Sequence, residues 1–153
     1  MEDKLVIFDT AKLAKEKNFN IPVYSYFDKN GELNMNYSII NQYPNEYLEE
    51  YGESIIIPYK SGDGSLSLEK INFNSWKDSY SAPTRTDLQD WLREEKGIKV
   101  YCVPSALSSR TNDWIYVISR TGYEHIHQNS IFNTYEEALE LGLQEGLKLY
   151  ELN

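Results

Sequence analysis

One helix in this 153-residue chain has both of its ends marked in the sequence, and a strand begins directly after it. Thr84 is placed to cap a helix over Arg85–Lys96, and Asp87 three residues further on completes a capping box. Gly97 suits the left-handed backbone conformation that ends many helices. Residues 98–103 then read as a strand, with Ile98, Val100 and Cys102 on one face and Lys99, Tyr101 and Val103 on the other. A helix that leads straight into a strand predicts an α+β domain.

Two other helices follow from similar signals. The first is predicted over Thr10–Lys17 with Asp9 as its cap, and the third over Tyr135–Tyr150 with Thr134 as its cap. Runs of β-branched and aromatic residues predict a hairpin over 22–37 and strands at 55–57, 114–118 and 123–128, with short edge strands between 66 and 73. We therefore expect a single antiparallel sheet of four or more strands with three principal helices.

The chain is predicted to be one domain over residues 1–153, because it contains no repeat and no stretch with the composition of a linker. Residues 38–80 are expected to be an elaboration of that domain. Within them, 44–51 is predicted to be a short helix that Gly52 ends.

The charge of the chain narrows the classes of function. Its 15 Lys and Arg against 24 Asp and Glu give a formal net charge of −9. Binding to nucleic acid by bulk electrostatics needs cations, so no direct nucleic-acid binding is expected. No long apolar run and no signal peptide are present, so no membrane association is expected. The lone cysteine, Cys102, fits a reducing compartment, and the expected location is the cytoplasm.

Three blocks of sequence resemble a known group of proteins. The blocks are TAKLAKEKNF at 10–19, SAPT at 81–84 with WLRE at 91–94, and YEEALELGL at 135–143 with LKL at 147–149. In this order they resemble small uncharacterised proteins of bacteriophages, prophages and mobile elements of gut-type anaerobic bacteria. The resemblance implies a phage or mobile-element origin and a compact α+β fold. It implies no reaction and no cofactor.

A stripe of tyrosines flanked by acids is the first candidate for a binding surface. Tyrosines recur at every fourth position, and glutamates surround them, so a helix would place the rings on one face. Tyrosine offers a large contact area, and acids attract a basic partner. The alternative is that the tyrosines cover the protein's own core. The residues are Tyr43, Tyr47, Tyr51, Glu46, Glu49 and Glu50.

Three arginines form a second, alternative candidate site. Arg85 lies in the first turn of the second helix, where free backbone N–H groups favour anions. Arg110 and Arg120 flank the strand predicted at 114–118. If these cations share a cleft, they could hold the phosphate of a small ligand such as a nucleotide.

Small residues recur along the third helix at Ala138, Gly142 and Gly146. A surface without side chains lets another backbone approach closely. It could pack on the protein's own sheet, or it could form a homodimer seam, so a homo-oligomer is possible. The opposite face of this helix is predicted to be in solvent and carries Glu136, Glu137, Glu140, Gln144 and Glu145.

The remaining chemistry-bearing residues carry weaker signals. His125 and His127 share one face of a predicted strand and could reach a common metal, but no third ligand lies near them in sequence. The pattern around Cys102 predicts a buried, unreactive thiol. We therefore predict no catalytic residue, no metal site and no cofactor, although an enzyme stays an alternative.

The leading functional hypothesis is a non-catalytic phage or mobile-element protein. It would bind a host or phage protein through the acidic, tyrosine-rich surface, and counter-defence would be one fitting role. A protein that sequesters a small ligand or nucleotide is the first alternative. A structural or cargo component of the virion is the second, so location in a virion is not excluded.

Overall fold

The computed structural model describes residues 4–35, 59–60, 66–67, 70–105, 113–120, 123–126 and 131–149. Within them lie three α-helices, which are α1 (Phe8–Glu16), α2 (Arg85–Lys96) and α3 (Tyr135–Leu149). The described strands are β1 (Ser25–Phe27), β2 (Leu33–Met35), β3 (Tyr59–Lys60), β4 (Leu66–Ser67), β5 (Tyr80–Ser81), β6 (Ile98–Pro104), β7 (Trp114–Arg120) and β8 (Tyr123–Ile126). The α+β class is confirmed.

The described strands form three antiparallel sheets, so the prediction of one sheet with four or more strands is wrong. The strand orders are β2-β1-β5, β3-β4 and β6-β7-β8. Helices join the two larger sheets, because α1 contacts β5 and α3, and α3 contacts β6 and β7. Alternating hydrophobicity indicates which face of a strand is buried, but it does not indicate which strand edges pair. The pattern was therefore compatible with either arrangement.

The second helix and its strand are as predicted. Thr84 Oγ1 accepts a hydrogen bond from the backbone N–H of Asp87 at 3.0 Å. Gly97 ends α2 with φ of 66°, in the left-handed region. β6 begins at the next residue, and its buried Ile98 and Val100 face the helices. The local capping signals were enough to define this unit.

The first helix differs from its prediction. It begins at Phe8, and its N-cap is Ile7, whose side chain makes no capping hydrogen bond. Asp9 lies inside the first turn instead of capping it. The helix is followed by Asn18, which has a φ of 66°. The partner that satisfies the start of α1 comes from α3.

The hairpin predicted over 22–37 is confirmed by the pairing of β1 with β2. Gly31 in its turn has a φ of 82°, in the left-handed region. A Cβ atom at this position would lie 2.9 Å from Cδ1 of Phe8. The turn therefore needs glycine both for its backbone conformation and for its contact with α1.

Near residue 70 the structure is less regular than predicted. Ile71 pairs with Val23 in an isolated bridge, and Phe73, the last residue of the predicted edge strands, begins a 3₁₀ helix over Phe73–Ser75. The predicted helix at 44–51 and strand at 55–57 lie outside the described residues. None of the described helices is long and apolar enough to span a membrane.

One continuous core links these elements. Phe19, which follows α1, meets Trp91 of α2 edge to face, with ring centroids 5.2 Å apart. Leu143 and Leu147 of α3 are fully buried in the same cluster as Val100 of β6. Among the described strands, β6 has β7 as its only neighbour. The side-chain amide of Gln89, in α2, donates a hydrogen bond to the carbonyl of Val100 in β6 at 2.5 Å.

Candidate functional site

A buried ion pair connects the start of α2 to the middle of α3. Arg85 Nε lies 2.5 Å from Glu140 Oε2, and the two side chains are only 13% and 7% exposed. Arg85 was a candidate for holding a ligand phosphate. The structure instead places its guanidinium against a carboxylate of the same chain.

The other oxygen of Glu140 satisfies the start of α1. Oε1 accepts hydrogen bonds from the backbone N–H of Ile7 and from the hydroxyl of Thr10, both at 2.7 Å. Gln144 Nε2 donates to the same hydroxyl at 2.9 Å. The prediction that Glu140 lies on a solvent face is therefore wrong. Its carboxylate accepts the N–H of the N-cap residue, which is the donor that an N3 carboxylate accepts in a capping box.

A surface cavity of about 300 Å³ lies beside this network. We call it the α1–α3 groove, and its lining residues are Ile7, Arg85, Phe132, Glu136, Glu137, Glu140 and Leu141. The Ile7 and Leu141 side chains are 47% and 41% exposed, although both are aliphatic. The groove therefore presents two aliphatic side chains to solvent within one concave surface.

The charges at the groove are unevenly compensated. Glu140 is paired with Arg85, whereas Glu136 and Glu137 form no ion pair with another described residue. Both lie in the first turn of α3, where helix N-terminal N–H groups favour acids. The groove therefore combines an aliphatic lining with a negative end.

The predicted arginine cleft is not formed by its described members. Arg85 lies at the first residue of α2, whereas Arg120 pairs in register with Ile98, two residues after the last residue of that helix. The rise of a helix separates the two ends of α2 by roughly 16 Å. Arg110 lies outside the described residues.

The small residues of α3 pack against the protein's own strands. Ala138, Gly142 and Gly146 are buried. A Cβ atom at Gly142 would lie 2.9 Å from Cβ of Tyr116, and one at Gly146 would lie 2.8 Å from Cγ2 of Val100. A homodimer seam would need these residues at the surface, and the structure does not place them there. Their close approach to β6 and β7 accounts for both glycines.

The cysteine and histidine candidates do not assemble into a reactive site in the described part of the chain. Cys102 is half-buried and not fully buried as predicted. Its partial burial still raises the pKa of the thiol to about 12, so it is not prepared as a nucleophile. His125 stands opposite Ile118 in the β7–β8 ladder, and His127 lies beyond the described residues. The described residues contain no group of three or more His, Cys, Asp or Glu side chains that could hold a metal ion.

The tyrosine and glutamate candidates at 43–51 lie outside the described residues, so their role stays a prediction. Sequence reasoning missed the α1–α3 groove, since three elements distant in sequence build it. The only signal in the sequence was weak: Leu141 follows Glu140 on the face of the third helix that was predicted to be in solvent. Comparison with known proteins found no protein family, no curated protein and no solved structure that matches this chain.

Proposed function

We propose that this chain is a non-catalytic interaction protein of phage or mobile-element origin that binds a host or phage protein. The observation that carries the proposal is the α1–α3 groove, where Ile7 and Leu141 are exposed beside Glu136 and Glu137, two acids that no described residue pairs. Aliphatic anchors inside a charged rim are the usual composition of a protein-binding surface.

The groove is suited to binding because its floor is held in place. The carboxylate of Glu140 contacts groups of Ile7, Thr10 and Arg85, so it fixes α1 and α2 against α3. A preorganised surface loses less conformational entropy when a partner docks on it.

The acidic, tyrosine-rich segment at 43–51 belongs to the same proposal as a second contact surface. Its support is the spacing of Tyr43, Tyr47 and Tyr51 and the five acids without any base over residues 31–53. The net charge of −9 favours a basic partner at either surface.

Sequestration of a small nucleotide is less well supported. A second surface cavity, of about 280 Å³, lies at the start of α2 and includes Lys70 and Thr84. Asp87 also lines it, so a carboxylate occupies the first helical turn where a phosphate would bind. Like charges repel there, and Arg85 points to Glu140 instead. A virion role stays an alternative, which the copy number of the chain in purified particles would test.

Cross-linking of the tagged chain in its host, followed by quantitative mass spectrometry, tests the proposed function. We expect one protein to be enriched and to form a complex of defined stoichiometry when both purified partners are mixed. Charge reversal of Glu46, Glu49 and Glu50 then tests the second surface separately. Failure of every enriched protein to bind the purified chain would contradict the proposal.

A further inference from the structure

We infer that the α1–α3 groove binds a short amphipathic segment of its partner, one that carries Lys or Arg beside one or two aliphatic side chains. This inference rests on the proposed function and specifies the chemistry of the partner. The size, the lining and the charge of the groove each support it.

The size of the groove favours a few side chains over a whole small molecule. Its volume of about 300 Å³ is at the lower end of the range for small-molecule sites, roughly 300–1,000 Å³. The aliphatic side chains of Ile7 and Leu141 both line it. An aliphatic side chain of a partner would remove apolar surface of both from water, which is favourable in proportion to the area buried.

The charge of the groove selects a cationic partner. The positive charge of Arg85 is matched by Glu140 at 2.5 Å, whereas Glu136 and Glu137 line the cavity without an ion pair to any described residue. A Lys or Arg next to the aliphatic side chain would face these carboxylates, whereas an acidic segment would be repelled. A second copy of this chain is disfavoured for the same reason, because each copy carries a net charge of −9.

The direct test uses synthetic peptides and the whole chain. The probe is a fluorescein-labelled peptide of Lys and Leu in amphipathic helical order. One comparison peptide has Glu in place of Lys, and another has Ser in place of Leu. We expect the Lys–Leu peptide to bind at least about tenfold more tightly than either comparison peptide, measured by fluorescence anisotropy. Equal binding of the Ser-containing peptide would overturn the inference, because charge alone would then account for the binding.

Matched variants locate the binding site. Glu136→Gln with Glu137→Gln removes two charges from the groove, and Glu94→Gln with Glu95→Gln removes two from an exposed part of α2. Leu141→Gln is matched by Leu33→Gln, which changes an exposed aliphatic residue of β2. We expect the groove variants to weaken binding at least about fivefold and the α2 and β2 variants to change it less than about twofold. Circular dichroism verifies that each variant is folded.

Three outcomes separate the inference from the function on which it rests. Equal weakening by groove and control variants would overturn the inference, because the peptide would then sense only overall charge. A partner that binds the purified chain but is unaffected by the groove variants would also overturn the inference and leave the proposed function intact. If no protein binds the purified chain, the proposed function fails.

Discussion

The carboxylate of Glu140 fixes the start of α1 and the start of α2 against α3. Glu140 accepts hydrogen bonds from Ile7 and Thr10 and pairs with Arg85. Loss of this acceptor would destabilise the protein, because it would leave two hydrogen-bond donors and the guanidinium of Arg85 without a partner in a water-poor environment. The position of α1 relative to α2 and α3 therefore depends on this residue.

Replacement of Glu140 should strongly destabilise the protein. Glu140→Ala leaves a buried guanidinium and two donors without their acceptor, and we expect the free energy of unfolding to fall by about 3 kcal/mol. Urea denaturation followed by circular dichroism measures the change. Glu137→Ala, at an exposed position of the same helix, is the control and should cost less than about 1 kcal/mol.

Removing both members of the ion pair should be less harmful. Arg85→Met together with Glu140→Leu leaves no unpaired charge, so part of the stability lost in Glu140→Ala should return. If Glu140→Ala alone stays within about 0.5 kcal/mol of the wild type, the network contributes little to stability.

The thiol of Cys102 should be protected in the folded protein. Burial raises its pKa from 9.0 to about 12, which lowers the thiolate fraction at neutral pH. A shift of this size reduces that fraction roughly 1,000-fold, so reaction with a disulfide reagent should be slow until the protein unfolds. Rapid reaction of the folded chain would contradict the assigned burial.

The same shift predicts a dependence of stability on pH. The folded pKa lies above the unfolded one, so the neutral thiol stabilises the folded state below pH 9. That contribution is lost as pH rises from about 9 through about 12, because the unfolded chain ionises first. Cys102→Ala should lose less stability over this interval. Its remaining decline is expected from Tyr116, whose pKa burial also raises to about 12, with a smaller effect of Glu145.

At the scale of the elements, the sequence predicted those helix ends that are fixed by residues within or next to the helix. Both ends of α2 were found because Thr84 and Gly97 act on their own helix. The start of α1 was not predicted, because the backbone N–H of Ile7 donates to Glu140, which is 133 positions away in sequence. Helix ends without a capping side chain depend on tertiary contacts that a single sequence does not display.

The small residues of α3 give a prediction at this scale. Gly146→Ala should destabilise the protein by about 1–3 kcal/mol, because its Cβ would lie 2.8 Å from Val100. Alanine is a better helix former than glycine by about 1 kcal/mol. If Gly146→Ala stabilises the protein, this gain outweighs the contact with Val100, and α3 can move away from β6 at little cost. Thermal unfolding measures the effect.

A second substitution tests the cause. Val100→Ala removes the methyl group that the new Cβ would meet. In that background Gly146→Ala should destabilise the protein less than it does in the wild type. An unchanged penalty would place the strain elsewhere in the helix.

At the scale of the whole molecule, helices hold the two larger sheets together through one core. We therefore expect cooperative unfolding, with no transition confined to one sheet. Trp76 packs on Phe73 near the β2-β1-β5 sheet. Trp114 is the first residue of β7 in the β6-β7-β8 sheet. Tryptophan fluorescence and far-ultraviolet circular dichroism should give coincident urea transitions, also in Trp76→Phe. Separate transitions would indicate two independent units.

The candidate site was less predictable than the fold class. Alternation and capping indicate an α+β chain, but the α1–α3 groove exists only after Ile7, Arg85 and Leu141 meet from distant parts of the sequence. Tertiary packing brings them together, and the sequence contains no periodic pattern that indicates it.

The contact between Gln89 and the Val100 carbonyl has a consequence for self-association. An outer strand with open backbone groups invites another chain to extend the sheet, which is a route to aggregation. Here an amide side chain occupies one of those acceptors, and Pro104 at the end of β6 has no N–H to offer an incoming strand. Addition of a foreign strand to β6 would meet an interrupted ladder, so the protein should resist fibril growth from this side.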